Sequence, residues 1–289
     1  MKKFFFGILL GAIASSSFGT ENDGIFRYRL GQFEVYTLVD AQREGNTNIL
    51  AGADQALLAR LIPAGGFIHS TNAFLIKTPE QNILIDTGFG TTIIDKIRSL
   101  GLEPEQIDVI CITHLHGDHF AGLQRDGRAL FPNAKVYVSA REHDHFTRVQ
   151  PNQGAIAALA LYGANVITFE PSELSSGAGL GSTYRELLPG ITAIANYGHT
   201  PGHTVFLVEN GGSRLIIAGD FLHVALVQFA HPDISATFDM DSTAAAASRR
   251  QLLAWAAANR IPIAGMHIAH PGIGTVETAG TGYIFIPAR

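Results

Sequence analysis

The sequence predicts a mixed fold of the α/β or α+β class, and three observations carry that expectation. Stretches that alternate apolar and polar residues interleave with stretches of helical spacing, which a pure sandwich would not show. Of the 289 residues, 46% are apolar and only 16% charged, enough apolar material for a large buried core. Asn82-Ile-Leu-Ile-Asp86 and Arg214-Leu-Ile-Ile-Ala-Gly-Asp220 also resemble each other, a sign of two similar halves.

The chain opens with a segment unlike the rest. Lys2 and Lys3 precede the apolar run Phe4 to Ala14, and small residues follow from Ser15 to Gly19. A basic start, a short apolar stretch and a small-residue cleavage region are the layout of a secretory signal peptide. The run is too short for a spanning helix, which needs about 20 apolar residues. Residues 1–19 are therefore expected to be removed on export to the periplasm or beyond. No cysteine stands at the cleavage region, so no lipid anchor is expected, and residues 20–289 are expected to form one domain.

Period-two alternation in Ile25 to Leu30 and Gln32 to Val39, joined around Gly31, predicts a hairpin. A second hairpin is expected from Asn72 to Lys77 and Asn82 to Asp86 across Pro79-Glu80. Ile93, Ile94, Ile97 and Leu100 have helical spacing, and Gly101 ends that helix. Strands at Ile107 to Thr113 and Lys135 to Ser139 follow, then an Ala-rich helix at Gln153 to Tyr162. In the second half, Ile191 to Ala195, Thr204 to Val208 and Arg214 to Ala218 read as strands, the last pair turning at Asn210-Gly211-Gly212. A long helix at Ser242 to Ala258 and a strand at Ile261 to Gly265 complete the series. The single cysteine, Cys111, lies in an apolar strand, so it is expected to be buried and inert and excludes an intramolecular disulfide.

Chemistry concentrates at the end of the strand Ile107 to Thr113, in Thr113-His114-Leu115-His116-Gly117-Asp118-His119. Three imidazoles and a carboxylate so close together have nothing local to satisfy them, whereas a divalent cation prefers such N and O donors. Alternation points His114 and His116 to one side, and Asp118 and His119 approach after the turn, so one segment can serve two neighbouring metal positions. Further ligands must come from other strand ends: Gly198-His199-Thr200-Pro201-Gly202-His203, Ala218-Gly219-Asp220, and Met266-His267-Ile268-Ala269-His270-Pro271-Gly272. The formal net charge of −5 offers no basic footprint, so nucleic acid is not the expected partner.

The ordered set H-x-H-x-D-H, G-H-T-P-G-H, G-D and a late histidine before P-G-x-G resembles the metallo-β-lactamase superfamily. The likeness runs from Asn82 to Gly274. It implies an α+β fold, a four-layer αββα sandwich of two mixed sheets covered by helices. It also implies two divalent cations, with zinc the expected metal. One cation would sit on His114, His116 and His199, the other on Asp118, His119 and His267, with Asp220 bridging. His203 would support the site rather than ligate, and His270, the alternative to His267, would face the pocket in place of the phenylalanine common there. Asp86 is expected to hold the first motif loop, and Asp241 or Ser242, rather than Asp239, to cap the long helix. His143 and His145 imitate a metal motif on a solvated helix, and His69 and His231 are read as loop residues, His69 touching substrate if its Gly65-Gly66 loop overhangs the site.

Within the superfamily the chain is most similar to the methyl-parathion-hydrolase-like group, related to quorum-quenching lactonases. Gly219-Asp220-Phe-Leu-His223, Val227-Gln228-Phe229, Pro232, Phe238-Asp239-Met-Asp241 and Arg249 carry that likeness. It implies a hydrolase in which a metal-bridging hydroxide attacks neutral lactones, such as N-acyl homoserine lactones, or organophosphate triesters. Asp118 and His223 are the expected catalytic residues, Asp118 moving a proton and His223 contacting substrate or steadying Asp220. Lactonases often carry a tyrosine near His223, a departure in this chain. Phe67, Ile68, Phe120, Phe221, Leu222 and Phe229 are expected to line the mouth. A β-lactamase-type hydrolase is the alternative enzyme, and a periplasmic metal-binding or sensing protein the non-enzyme alternative. The partner is thus a small molecule, with homodimer formation open.

Overall fold

The computed structural model describes residues 23–63, 65–175, 179–180 and 184–289. The proposed signal peptide lies outside the described residues. Strands β1 (Ile25–Leu30), β2 (Phe33–Gly45), β3 (Phe67–Lys77), β4 (Asn82–Ile85), β5 (Val109–Cys111), β6 (Lys135–Ser139) and β7 (Val166–Phe169) form one sheet in sequential order. A second sheet orders β8 (Ile191–Ala195), β9 (Thr204–Asn210), β10 (Ser213–Ile217), β11 (Ile263–Ala264), β12 (Ile273–Ala279) and β13 (Gly282–Pro287) in the same way. Both sheets are mixed. Antiparallel hairpins lead into parallel pairs, β4–β5, β5–β6 and β6–β7 in the first sheet and β10–β11 in the second.

Period-two burial divides each strand between two cores. On β3, Phe74 and Ile76 face the other sheet while Ala73 and Leu75 face helices. On β9, Phe206 and Val208 meet them in the middle, and Val205 and Leu207 face outward to the helix Ser242–Asn259. The helices are α1 (Gln55–Leu61), α2 (Ile93–Ser99), α3 (Gly117–Phe120), α4 (Ala140–Asp144), α5 (Gln153–Ala160), α6 (Ala225–Gln228) and α7 (Ser242–Asn259). Ile93 and Ile97 of α2 and Ala155 and Leu159 of α5 cover the first sheet, and Leu252, Leu253, Trp255 and Ala256 of α7 cover the second. Three apolar interfaces between four layers give the αββα sandwich that the likeness implied. Asp241 caps α7, its carboxylate accepting from Ala244 N at 2.9 Å. Cys111 is fully buried between the sheets, and burial pushes its thiol pKa up.

Several local readings differ, and neither β7 nor α6 was foreseen. The hairpin β12–β13 was not foreseen, nor was α1, which Asp54 caps through Leu57 N. The first-sheet hairpin is longer than its alternation indicated, because β2 continues past a bulge between Val39 and Ala41 to Gly45 and pairs there with Phe67. That extension corrects the placement of His69: it is no loop residue but a buried position on β3, opposite Arg43.

Candidate metal centre

The clustered side chains all sit just beyond strand ends. The loop after β5 carries His114 and His116, and His116 becomes the residue that precedes α3, so Asp118 and His119 fall in that helix's first turn. His199 and His203 belong to the turn between β8 and β9, Asp220 follows β10, and His267 follows β11. Parallel pairing of β4 with β5 and of β10 with β11 sends these ends to one edge of the sandwich.

Around the first position, His114 Nε2, His116 Nδ1 and His199 Nε2 lie 3.0–3.1 Å from one another, with Asp220 Oδ2 at 3.3 Å from His199 and 3.6 Å from His114. Around the second, Asp118 approaches His119 Nε2 to 3.6 Å and His267 Nε2 to 3.5 Å. Asp220 lies 3.2 Å from His119 and 3.1 Å from His267. Asp220 is common to both. A tetrahedron with zinc-to-nitrogen arms of 2.0–2.1 Å has edges of about 3.4 Å, so both groups have the size of a cation's ligand shell.

The donor set supports the same reading. One N–H cannot satisfy three imidazole nitrogens that face a common point, and a cation can. His119 Nε2 and Asp220 Oδ1 are buried and make no aligned hydrogen bond despite being 3.2 Å apart. On His114, His119, His199 and His267 the other ring nitrogen is anchored, which sets the ring's orientation. His119 Nδ1 meets Asp86 Oδ2 at 2.7 Å, His199 Nδ1 meets Asp239 Oδ1 at 2.9 Å, His267 Nδ1 meets Ser70 O at 2.7 Å, and His114 Nδ1 meets Thr113 Oγ1 at 3.1 Å. Asp86 also accepts from Thr113 N and Oγ1, both at 2.7 Å, and so holds the first motif loop. His203 Nε2 accepts from Asp220 N at 2.9 Å. Gly219 permits this contact, since a Cβ there would lie 2.5 Å from that nitrogen.

In the metal-free protein the charges of the cluster act on one another. Burial alone would raise Asp220, but His119, His267 and His114 hold it well below the carboxylate range. Burial pushes His114 well down and His116 to about 4. His199 is also buried, yet Asp220 and Asp239 outweigh that and push it up to about 9.

Three more imidazoles border the centre. His223 Nε2 lies 3.2 Å from Asp220 Oδ2, its ring stacks on His267 at 5.1 Å, and its Nδ1 is buried without a partner. Burial lowers His223 to about 4, so it is neutral at pH 7. His69 packs on His267 at 4.4 Å, and its buried Nδ1 also lacks a partner. His270 stands outside both clusters and lines an adjacent groove. His143 and His145 join no cluster among the described residues; both are half-buried, and His231 is a half-buried loop residue.

The groove has a volume of about 510 Å³, and Phe67, Ile68, Leu226, Phe229 and Ile284 form its apolar walls, with His267 at its inner side. Phe120, Phe221 and Leu222 do not line it: they are buried, packed into the helix-covered apolar cores. A second cavity of about 630 Å³, beside Arg98, Arg125 and Arg128, holds none of the clustered histidines. Asp239 emerges only in the structure as the anchor of His199; that contact spans 40 residues, and no local pattern marks it.

Known proteins resemble this chain in sequence and fold. The profile of the metallo-beta-lactamase superfamily matches residues 67–258. A ribonuclease Z of Clostridioides difficile is 45% identical over 67 residues, 22% of this chain and 21% of that protein. The uncharacterized protein YobT of Bacillus subtilis is 32% identical over 161 residues, 53% of this chain and 62% of that protein. The chain thus spans about a fifth of the length of that ribonuclease. Among solved structures, the hydrolase AbOPH of the beta-lactamase superfamily superposes with a TM-score of 0.84 at 28% identity, over 93% of this chain and 99% of that one. The dizinc quorum-quenching lactonase AidC shares the fold with a TM-score of 0.78 at 24% identity, over 92% and 98%. With the family profile spanning most of the chain and the fold matched throughout, this protein belongs to the metallo-beta-lactamase superfamily.

Proposed function

We propose that the protein is an exported dinuclear metal-dependent hydrolase of neutral esters, lactones or aryl phosphotriesters. The observation that carries this reading is the pair of ligand shells sharing Asp220, beside an apolar groove whose inner side is the ligand His267. His114, His116 and His199 would hold one cation and Asp118, His119 and His267 the other, with Asp220 bridging; zinc suits these N and O donors. When bound, the cations supply Lewis acidity toward water and toward a carbonyl or phosphoryl oxygen.

The chain's own residues do the rest. Asp118 and His116 are the partly exposed members of the centre, the Asp118 side chain 24% accessible. Burial would raise its pKa, but His119 and His267 hold it below the usual carboxylate value, so it stands ionised, with a place for a proton. It takes that proton from water as the water oxygen adds to the ester carbon or phosphorus, then returns it to the departing oxygen. His223 donates or accepts a hydrogen bond beside Asp220, and Gln228 Oε1 steadies its turn by accepting from His223 N at 2.7 Å and Val224 N at 2.9 Å. The groove receives the apolar arm of the ester through burial rather than charge.

AidC, named as a quorum-quenching lactonase, and AbOPH, named as a hydrolase, fit this class. The decisive experiment is a panel of lactones, aryl phosphotriesters, β-lactams and RNA on zinc-loaded protein, compared by kcat/KM. Turnover of β-lactam or RNA about tenfold above both ester classes, roughly 1.4 kcal/mol of preference, would reject the proposal. No turnover of any class would favour a binding or sensing role. Export is checked by N-terminal sequencing from the native host, where a chain beginning near Thr20 is expected and an intact Met1 refutes it.

A further inference from the structure

Beneath the first metal position lies a buried carboxylate that the reaction does not use. Glu142, in α4, has no solvent exposure. Its Oε1 accepts from Leu115 N at 2.8 Å, and its Oε2 accepts from Thr200 Oγ1 at 2.8 Å and Gly202 N at 2.9 Å. Leu115 stands between His114 and His116, and Thr200 follows His199. Every histidine of the first position is therefore one residue from a bond to this carboxylate. We propose that Glu142 is the positioning residue of the first metal position, tying the loop after β5 to the turn between β8 and β9 so that His114, His116 and His199 converge.

The bonds suit a carboxylate. The amides of Leu115 and Gly202 can only donate, and a carboxylate accepts from both and from the Thr200 hydroxyl with no proton of its own to place. The close approach is built in. A side chain at Gly202 would collide with the Glu142 backbone, and Ser139 Oγ, which accepts from Glu142 N at 3.2 Å, donates to Gly202 O at 2.8 Å. Both motif loops lie outside the sheets, where no ladder fixes Leu115 N or Gly202 N; without Glu142 these amides would be buried and unpaired. The second position has a different anchor, since Asp86 holds His119 and Thr113. Asp86 also reaches His114 through Thr113 Oγ1, but Glu142 bonds no neighbour of His119 or His267, so its loss should be felt mainly at the first position.

Glu142→Gln keeps the size but places an amide N–H against at least one of the three donors. Zinc occupancy would be read separately at the two positions, by anomalous diffraction from crystals equilibrated in zinc buffers of stepped free concentration. The His114–His116–His199 position is expected to need 10- to 100-fold more free zinc, the usual effect of removing a residue that orients ligands. The Asp118–His119–His267 position should stay within about twofold. Thr200→Val removes one of the three donors and leaves the charge in place. It should shift the first position in the same direction by about three- to tenfold, and it carries the test if the glutamine variant does not fold. Equal weakening of both positions would reveal a general packing role and overturn the proposal, as would unchanged zinc binding at the first position. A proposed ester hydrolysis that fails in the wild-type protein leaves this zinc measurement unaffected, so the two readings can fail independently.

Discussion

Replacing Asp239 by asparagine should destabilise the metal-free protein by about 3 kcal/mol and also loosen the first metal position. Arg249 is 1% exposed and the Asp239 side chain fully buried, with Nη2 and Oδ2 3.3 Å apart. Breaking a buried ion pair from one side costs about 3–5 kcal/mol, because the remaining charge is left without a counter-ion. Arg249 keeps its bonds to Pro232 O at 2.8 Å and Ile234 O at 2.9 Å, which argues for the lower end of that range. Asparagine would also set an N–H against either Ala236 N, which now donates to Oδ2 at 2.9 Å, or the His199 Nδ1 proton. Urea denaturation of the metal-free variant measures the first effect and zinc titration the second, with affinity expected to fall about 10- to 100-fold. Arg249→Met and the double variant complete a cycle. A Asp239→Asn loss below about 1 kcal/mol, or strictly additive losses in the cycle, would refute the idea that this pair holds His199 in place.

Asp220→Ala should lose both metal positions and nearly all activity, whereas His143→Ala and His145→Ala should change little; comparable losses at all three would mean the centre lies elsewhere. His267→Ala should halve the zinc content measured by elemental analysis, while His270→Ala should keep both ions and shift the preference among esters with different apolar arms. Burial pushes the Tyr162 phenol up from 10.0 to about 12. The folded state therefore holds this proton more tightly, and the associated stability is present below pH 10 and lost between about 10 and 12. A hundredfold difference in proton affinity corresponds to about 2.7 kcal/mol at most. Denaturation midpoints of Tyr162→Phe should fall less steeply across that window than those of the wild type, and parallel profiles would contradict the assignment.

Much of this protein is legible from its sequence because its information is local. Strands such as β6 and β8 alternate or run apolar between turn residues, and the ligand motifs lie in single loops, where a few neighbours carry the pattern. The unread parts depend on distant partners. β12 begins with Ile273-Gly274, and its burial fades toward Ala279, so alternation is weak until β13 pairs with it. His69 follows Gly65-Gly66 in sequence, and only the continuation of β2 to Gly45 draws it into a strand. The groups that orient the histidines are least visible: Ser70 O reaches His267 across 197 residues and Glu142 reaches Thr200 across 58.

The two resembling segments show how one local design yields two roles. In the first half Asn82-Ile-Leu-Ile-Asp86 ends β4, which runs parallel to β5. In the second half Arg214-Leu-Ile-Ile-Ala-Gly-Asp220 ends β10, which runs parallel to β11. Asp86 comes one residue after its strand, with a left-handed backbone (φ 56°), and turns back to Thr113 and His119. It stands behind the ligands. Asp220 comes three residues after its strand, beyond Gly219 (φ 53°), and reaches past His203 into the space between the histidines. At about 3.3 Å per extended residue, two added residues can move a carboxylate by more than the width of an imidazole ring. That increment separates a residue that orients a ligand from one that can bridge two cations. Shortening the second segment by deleting Ala218 and Gly219 would return Asp220 to the position of Asp86, where it could brace one metal position but not join both.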